Sequence, residues 1–174
     1  MRRLPLLAVL LALGCASDPA PKSAEATRGQ AAGGDSSEPR VALSPQELRS
    51  KWAALTTSES DLATGVSSLS TLGAEEKLRR LAALRGDAGM LAAGLARLEP
   101  PPELASCRKI AVDGAKQVKQ SLDAINDIWM GRAQRDRLAA DRISAELCTG
   151  FAAMREARDA CGVSGAVAQP IACK

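Results

Sequence analysis

Residues 100–131 read PPPELASCRKIAVDGAKQVKQSLDAINDIWMG, and this stretch decides the fold class. Three prolines at its start stop any preceding helix, and Gly131 is a suitable end for the helix that follows. Between these limits the apolar residues recur every three or four positions: Leu104, Cys107, Ala111, Val118, Leu122, Ile125 and Trp129. Since this spacing places them on one face, the stretch predicts an amphipathic helix between two chain breaks.

Three further segments show the same helical pattern. One begins at Ser44, which forms a capping-box motif with Glu47, and continues to Gly73. The next covers Ala74–Leu98, and the last covers Ala133–Cys161. The chain is rich in Leu and Ala but has one Phe, two Trp and no Tyr, a composition that favours helices over strands. Because the connections are short, we expect an all-α fold, an antiparallel four-helix bundle with up-down-up-down topology.

Two alternatives remain open at the glycines. The chain could form fewer, longer helices if the junction at Gly73 or Gly131 is bridged rather than turned. The second segment could also break around Arg85–Gly89, because each helical glycine costs up to about 1 kcal/mol relative to alanine.

The large apolar side chains are expected mainly in the core. Met90, Met130 and Met154 should fill gaps between helices. Trp52 and Trp129 should anchor the core, with an exposed binding role for one of them as the alternative.

The first fifteen residues have the pattern of an export signal. A basic start at Met1–Arg3 precedes the apolar run Leu4–Leu13, which is too short to cross a bilayer. The run ends in Leu-Ala-Leu-Gly-Cys at residues 11–15. This ending resembles the lipobox of bacterial lipoproteins, although Ala12 stands where that family usually has Leu.

The resemblance implies a signal peptide over residues 1–14 and lipid attachment at Cys15, hence a membrane anchor. Ala16 follows instead of Asp, which in a cell with two membranes implies sorting to the outer one. The next residues, up to Leu43, are rich in Ala, Ser, Gly and Pro without apolar periodicity, so 15–43 form a lipidated, disordered tether. Residues 44–174 form the helical domain.

Five cysteines are an odd number, and assigning Cys15 to lipid leaves an even set. In an exported chain the remaining four should form structural disulfides. If the last two helices are antiparallel, Cys107 lies level with Cys161, and the tail can return along the last helix so that Cys148 meets Cys173. The alternative, Cys107–Cys148 with Cys161–Cys173, requires a shift of about three turns between these helices.

The sequence contains no motif for catalysis. It has no His, the usual general base and commonest metal ligand, and it lacks a C-x-x-C, a Walker loop and a G-x-S-x-G elbow. The carboxylate pairs Glu75–Glu76 and Asp123 with Asp127 are interpreted as solvent-exposed helix residues. We therefore predict a protein that is not an enzyme and has no metal or cofactor.

The favoured hypothesis is that the protein is an interaction module in the cell envelope. Without the two signal arginines, 21 basic residues face 20 acidic ones, so the net charge of +1 gives no general attraction to nucleic acid. The candidate contact surface is the basic side of the last two helices: Lys109, Lys116, Lys119, Arg132, Arg135 and Arg142. Its partner would be an envelope protein or cell-wall polymer; a solvated face without a partner is the alternative. Two other functions remain open: an inhibitor of an exported hydrolase, or an enzyme with an unrecognised Glu, Lys or Ser site.

Overall fold

The computed structural model describes residues 42–133, 136–170 and 173, and within these ranges the chain is helical without strands. The helices are α1 (Pro45–Ala53), α2 (Thr56–Ser68), α3 (Ala74–Arg97), α4 (Ala105–Trp129) and α5 (Arg137–Ala160). Short 3₁₀ turns, Leu69–Thr71 and Pro102–Leu104, precede α3 and α4. The all-α prediction is confirmed. The predicted signal peptide, Cys15 and nearly all of the tether lie outside the described residues.

The start of the first helix is confirmed, but its continuity is not. The Ser44 hydroxyl accepts the Glu47 amide at 3.3 Å, and the Glu47 carboxylate accepts the Ser44 amide at 2.9 Å, which completes the capping box. The helix then ends at Ala53, and α2 begins at Thr56. The Thr56 hydroxyl donates to the Ala53 carbonyl at 2.7 Å, a side-chain bond that competes with the regular backbone ladder. The first predicted helix is therefore two helices.

The backbone at the glycines decides between a turn and a continuous helix. α3 continues through the Arg85–Gly89 region without a break. Gly131 has φ of 70°, so the chain turns after α4 instead of extending it. α5 begins later than predicted, because the Asp136 carboxylate caps it by accepting the Ala139 amide at 2.6 Å.

α4 is the central helix and packs extensively against both α3 and α5. Its most deeply buried apolar residues are Ala111, Ala115, Val118 and Leu122. Where α4 meets α5, glycines replace side chains: a Cβ placed on Gly114 would lie 2.8 Å from the Gly150 carbonyl oxygen, and one on Gly150 would lie 2.8 Å from that of Gly114. The two backbones therefore approach more closely than any side chain permits.

Burial matches the predicted core with specific exceptions. Trp52 and Met154 are 2% and 1% exposed, as expected of core residues. Met90 and Met130 are wrongly predicted, since they are 68% and 53% exposed. Trp129, the last residue of α4, is only half-buried and packs against the outside of the core.

The two disulfides of the structure are the pairs favoured from the sequence, Cys107–Cys161 and Cys148–Cys173. The first joins the beginning of α4 to the residue that follows α5, with the two Cα atoms 5.9 Å apart. The second ties the C-terminal tail to the middle of α5, with a Cα separation of 5.2 Å.

Candidate functional site

The predicted basic surface is largely neutralised by neighbouring acids. Four of its cations lie within ion-pair distance of a carboxylate: Lys109 with Asp113 (2.6 Å), Lys119 with Asp123 (2.7 Å), Arg132 with Asp127 (2.6 Å) and Arg142 with Glu146 (3.7 Å). Lys116 is exposed, and Arg135 lies outside the described residues. Charges paired this closely leave little field for an anionic partner, which favours the solvated-face interpretation.

The basic partners on this surface lower the pKa values of two of its acids. The hydrogen bond from Lys109 lowers the pKa of Asp113 below its ordinary value. Partial burial opposes ionisation of Asp123, but hydrogen bonds from Lys119 and Arg85 outweigh it and lower its pKa as well. Both carboxylates therefore remain ionised and paired at neutral pH.

The carboxylate pairs singled out from the sequence also have ordinary surface partners. Glu75 accepts a 2.9 Å hydrogen bond from Arg79, and Asp127 accepts from Arg132. No group of three or more His, Cys, Asp or Glu side chains that could hold a metal ion occurs within residues 42–133, 136–170 and 173.

A buried ion pair was missed by the sequence analysis. Arg158 on α5 donates to the Glu59 carboxylate on α2 at 2.9 Å, and each side chain is 5% exposed. Burial raises the pKa of Glu59, although the Arg158 charge opposes that shift. The signal for this pair was visible: Glu59 interrupts the apolar rhythm of its segment, a position at which a charge needs a buried partner.

An apolar cleft lies near the turn between α4 and α5, with a volume of about 320 Å³. Its lining comes from α2 and the 3₁₀ turn after it, from the end of α4, and from α5 with the residue before it. The apolar lining residues are Val66, Leu69, Ile125, Ile128, Trp129, Ala140, Ile143 and Leu147. Asp136 and Ser144 supply the polar atoms of the lining. We call this hollow the Trp129 cleft.

A second hollow of about 390 Å³ shares two residues with the Trp129 cleft. It is lined by Ile128 and Trp129 together with Ala74, Lys77 and Leu78 from the first turns of α3. Two strongly exposed apolar side chains flank the same α4–α5 turn: Met130 at 53% and Leu138 at 82%. The two hollows and these two side chains together place apolar surface at this end of the domain, where it marks a candidate interaction site.

The two tryptophans differ in burial. Trp52 is buried in the core, whereas Trp129 packs against the core, is half-buried and lines both hollows. In the sequence, its partial exposure is indicated by its position at the end of the helix, directly before Met130 and Gly131.

Comparison of the chain with protein-family models, with curated proteins and with solved structures finds no match. Within residues 42–133, 136–170 and 173, none of the helices combines the length and apolarity needed to span a bilayer.

Proposed function

We propose that this protein is an envelope lipoprotein, anchored through Cys15, whose domain over residues 44–174 is a non-enzymatic binding module. The observation that carries the proposal is the Trp129 cleft. It is a concave, mostly apolar hollow with a few polar groups at its edge, and its volume falls in the range of about 300–1,000 Å³ typical of ligand sites. Such a cleft on a small helical domain suits an apolar ligand.

The polar chemistry of the cleft supports binding rather than catalysis. Asp136 already accepts the Ala139 amide as a helix cap, which assigns its carboxylate a structural task. Ser144 is a hydroxyl in a chain that has no His to activate it as a nucleophile. These features favour recognition of a ligand over its chemical transformation.

The proposal includes an up-down-up-down four-helix bundle in which α1 and α2 together take the place of the first helix. The Cys107–Cys161 bond and the contact of Gly114 with Gly150 support it. Residues later in α4 contact residues earlier in α5, as expected for two antiparallel helices. The connection between these helices is short, as expected for antiparallel neighbours.

The location is proposed from the N-terminal pattern. Lipid on Cys15 would hold the chain at a membrane, and Ala16 in the next position favours the outer membrane where two exist. The partner would then be an envelope protein or another component of that compartment that presents an apolar group.

Dye binding to the purified mature protein tests the cleft. Anilinonaphthalene sulfonate fluoresces on apolar surface, and we expect saturable binding to the native protein. Ala140→Arg places a long charged side chain on the cleft wall and should weaken dye binding at least about tenfold. Ala145→Arg on the exposed surface of the same helix is the matched control and should bind like the native protein. Equal dye binding by the native protein and both variants would contradict the proposal.

A further inference from the structure

The C-terminal tail shows what kind of group the surface between α2 and α5 accepts. After α5 the chain reverses and runs back between these two helices without secondary structure. Val163 and Pro170 are buried, and the residues between them cover a small hollow bordered by Glu59 and Phe151. The tail is thus an extended peptide seated in the groove between two helices.

The contacts of the tail give its direction. Gly165 lies against Thr56, where an added Cβ would be 3.1 Å from the hydroxyl oxygen, and the Ala168 amide donates to the Ser60 hydroxyl at 3.4 Å. Rising residue numbers in the tail therefore follow rising numbers on α2. Cys173 then meets Cys148, thirteen positions before Cys161 on α5. The tail therefore runs in the same chain direction as α2 and in the opposite direction to α5.

The Trp129 cleft is the continuation of this groove. On the α2 side the cleft is lined by Val66 of α2 and Leu69 of the following 3₁₀ turn, which come after Ser60 in the chain. Its α5 wall begins at Leu147, next to the disulfide-bonded Cys148, and continues back to Ile143. The same two helices therefore line both parts: the tail covers one, and the other is an open cleft.

We propose that the Trp129 cleft binds an extended apolar peptide segment of a partner protein, seated along the line that the tail already follows. This inference rests on the proposed function and specifies its ligand. Apolar side chains of such a segment pack on the walls, while its backbone amides meet oxygen atoms at the rim. Ser144 offers such an oxygen in the cleft, as Ser60 does for the tail. An acyl chain has no amide donor for such an oxygen, so the lining favours a peptide.

Capped octapeptides that alternate Ala with Val, Leu or Ile around one Pro are the probes, since Pro keeps them extended. Binding to the purified mature protein is measured by calorimetry, with palmitate titrated in parallel. We expect at least one peptide to bind saturably to the native protein and to Ala145→Arg, and at least about tenfold more weakly to Ala140→Arg. We also expect a peptide bound at the cleft to shift the emission of Trp129 in a Trp52→Phe background.

The other outcomes separate this inference from the proposed function. Dye and palmitate binding at the cleft without peptide binding would overturn the peptide assignment while leaving the binding module intact. Peptide binding that Ala140→Arg does not weaken would place the peptide elsewhere and overturn the inference. Failure of dye, palmitate and peptides together would overturn both proposals.

Discussion

Removing one member of the buried Glu59–Arg158 pair should destabilise the protein far more than removing both. At 2.9 Å and an effective dielectric constant of about 20, the two charges attract by roughly 6 kcal/mol. Burying two ions costs several kcal/mol each, so the intact pair gains little net stability. Arg158→Leu leaves the carboxylate buried without its partner, and we expect a loss of about 3–5 kcal/mol in unfolding free energy at neutral pH.

The double variant Glu59→Leu with Arg158→Leu removes both desolvation costs at once. We expect it to be near neutral or more stable than the native protein, so that the double-mutant cycle gives a large coupling energy. Urea denaturation of all four proteins measures these free energies. The exposed pair Glu75–Arg79 has the same 2.9 Å distance, and Arg79→Leu should cost less than about 1 kcal/mol.

The contribution of Glu59 to the free energy of unfolding should decrease as the pH rises. Burial raises the pKa of Glu59 above its ordinary value of 4.5, so the native state holds this proton to higher pH than the unfolded chain. The resulting stability is fully present below the unfolded pKa and is lost as the pH rises through the folded pKa. Arg158→Leu removes the opposing charge and raises the pKa of Glu59 further, so the stability deficit of this variant should grow as the pH rises above the folded pKa of the native protein. A single-variant cost below about 1 kcal/mol, or additive effects in the double variant, would refute the reasoning.

The remaining predictions concern packing, cross-links and processing. Gly150→Ala should lower the free energy of unfolding by about 1–3 kcal/mol, because the added Cβ forces α4 away from α5. Gly86→Ala, whose Cβ would meet nothing within 4 Å, should raise it by up to about 1 kcal/mol. Urea denaturation measures both changes. Replacing Cys107 and Cys161 by Ser should remove roughly 3–4 kcal/mol and lower the thermal midpoint, and a native-like midpoint would show that the cross-link is dispensable. Mass spectrometry of the mature N-terminus should find diacylglyceryl on Cys15, and an unmodified start elsewhere would exclude the anchor.

The sequence predicted the helical segments where local chemistry controls them. Apolar periodicity identifies α3 and α4 because their burial follows one face, and the Ser44–Glu47 motif marks a helix start by satisfying free amides locally. The break at Thr56 was missed because a periodic apolar pattern persists through a one-turn irregularity. The two disulfide pairs followed from the assumed antiparallel helices, since cysteine spacing and helical rise fix which thiols can meet.

The candidate site was less accessible to sequence reasoning. A cleft exists where helices diverge, and divergence depends on the joint packing of segments distant in the chain, such as Val66 and Ile143. Charged residues were singled out as a surface by their type, but the acid four positions away neutralises Lys109 and Arg142. Glu59 is a polar interruption in the apolar pattern of its segment, but its partner Arg158 lies 99 positions later, a pairing that no local pattern specifies.

The Cys107–Cys161 bond has a mechanical consequence. The described chain begins beside the same end of the domain, where the Leu43 amide bonds to the Glu99 carbonyl and Arg49 donates to the Cys161 carbonyl. Tension applied through Ala42 would first peel α1 and α2 from the bundle. It cannot draw out the 53 residues between Cys107 and Cys161, which fully extended would add about 180 Å to the length of the chain. The cross-linked segment that contains most of α4 and α5 therefore cannot be extended, and the side of the cleft that it forms keeps its shape under load.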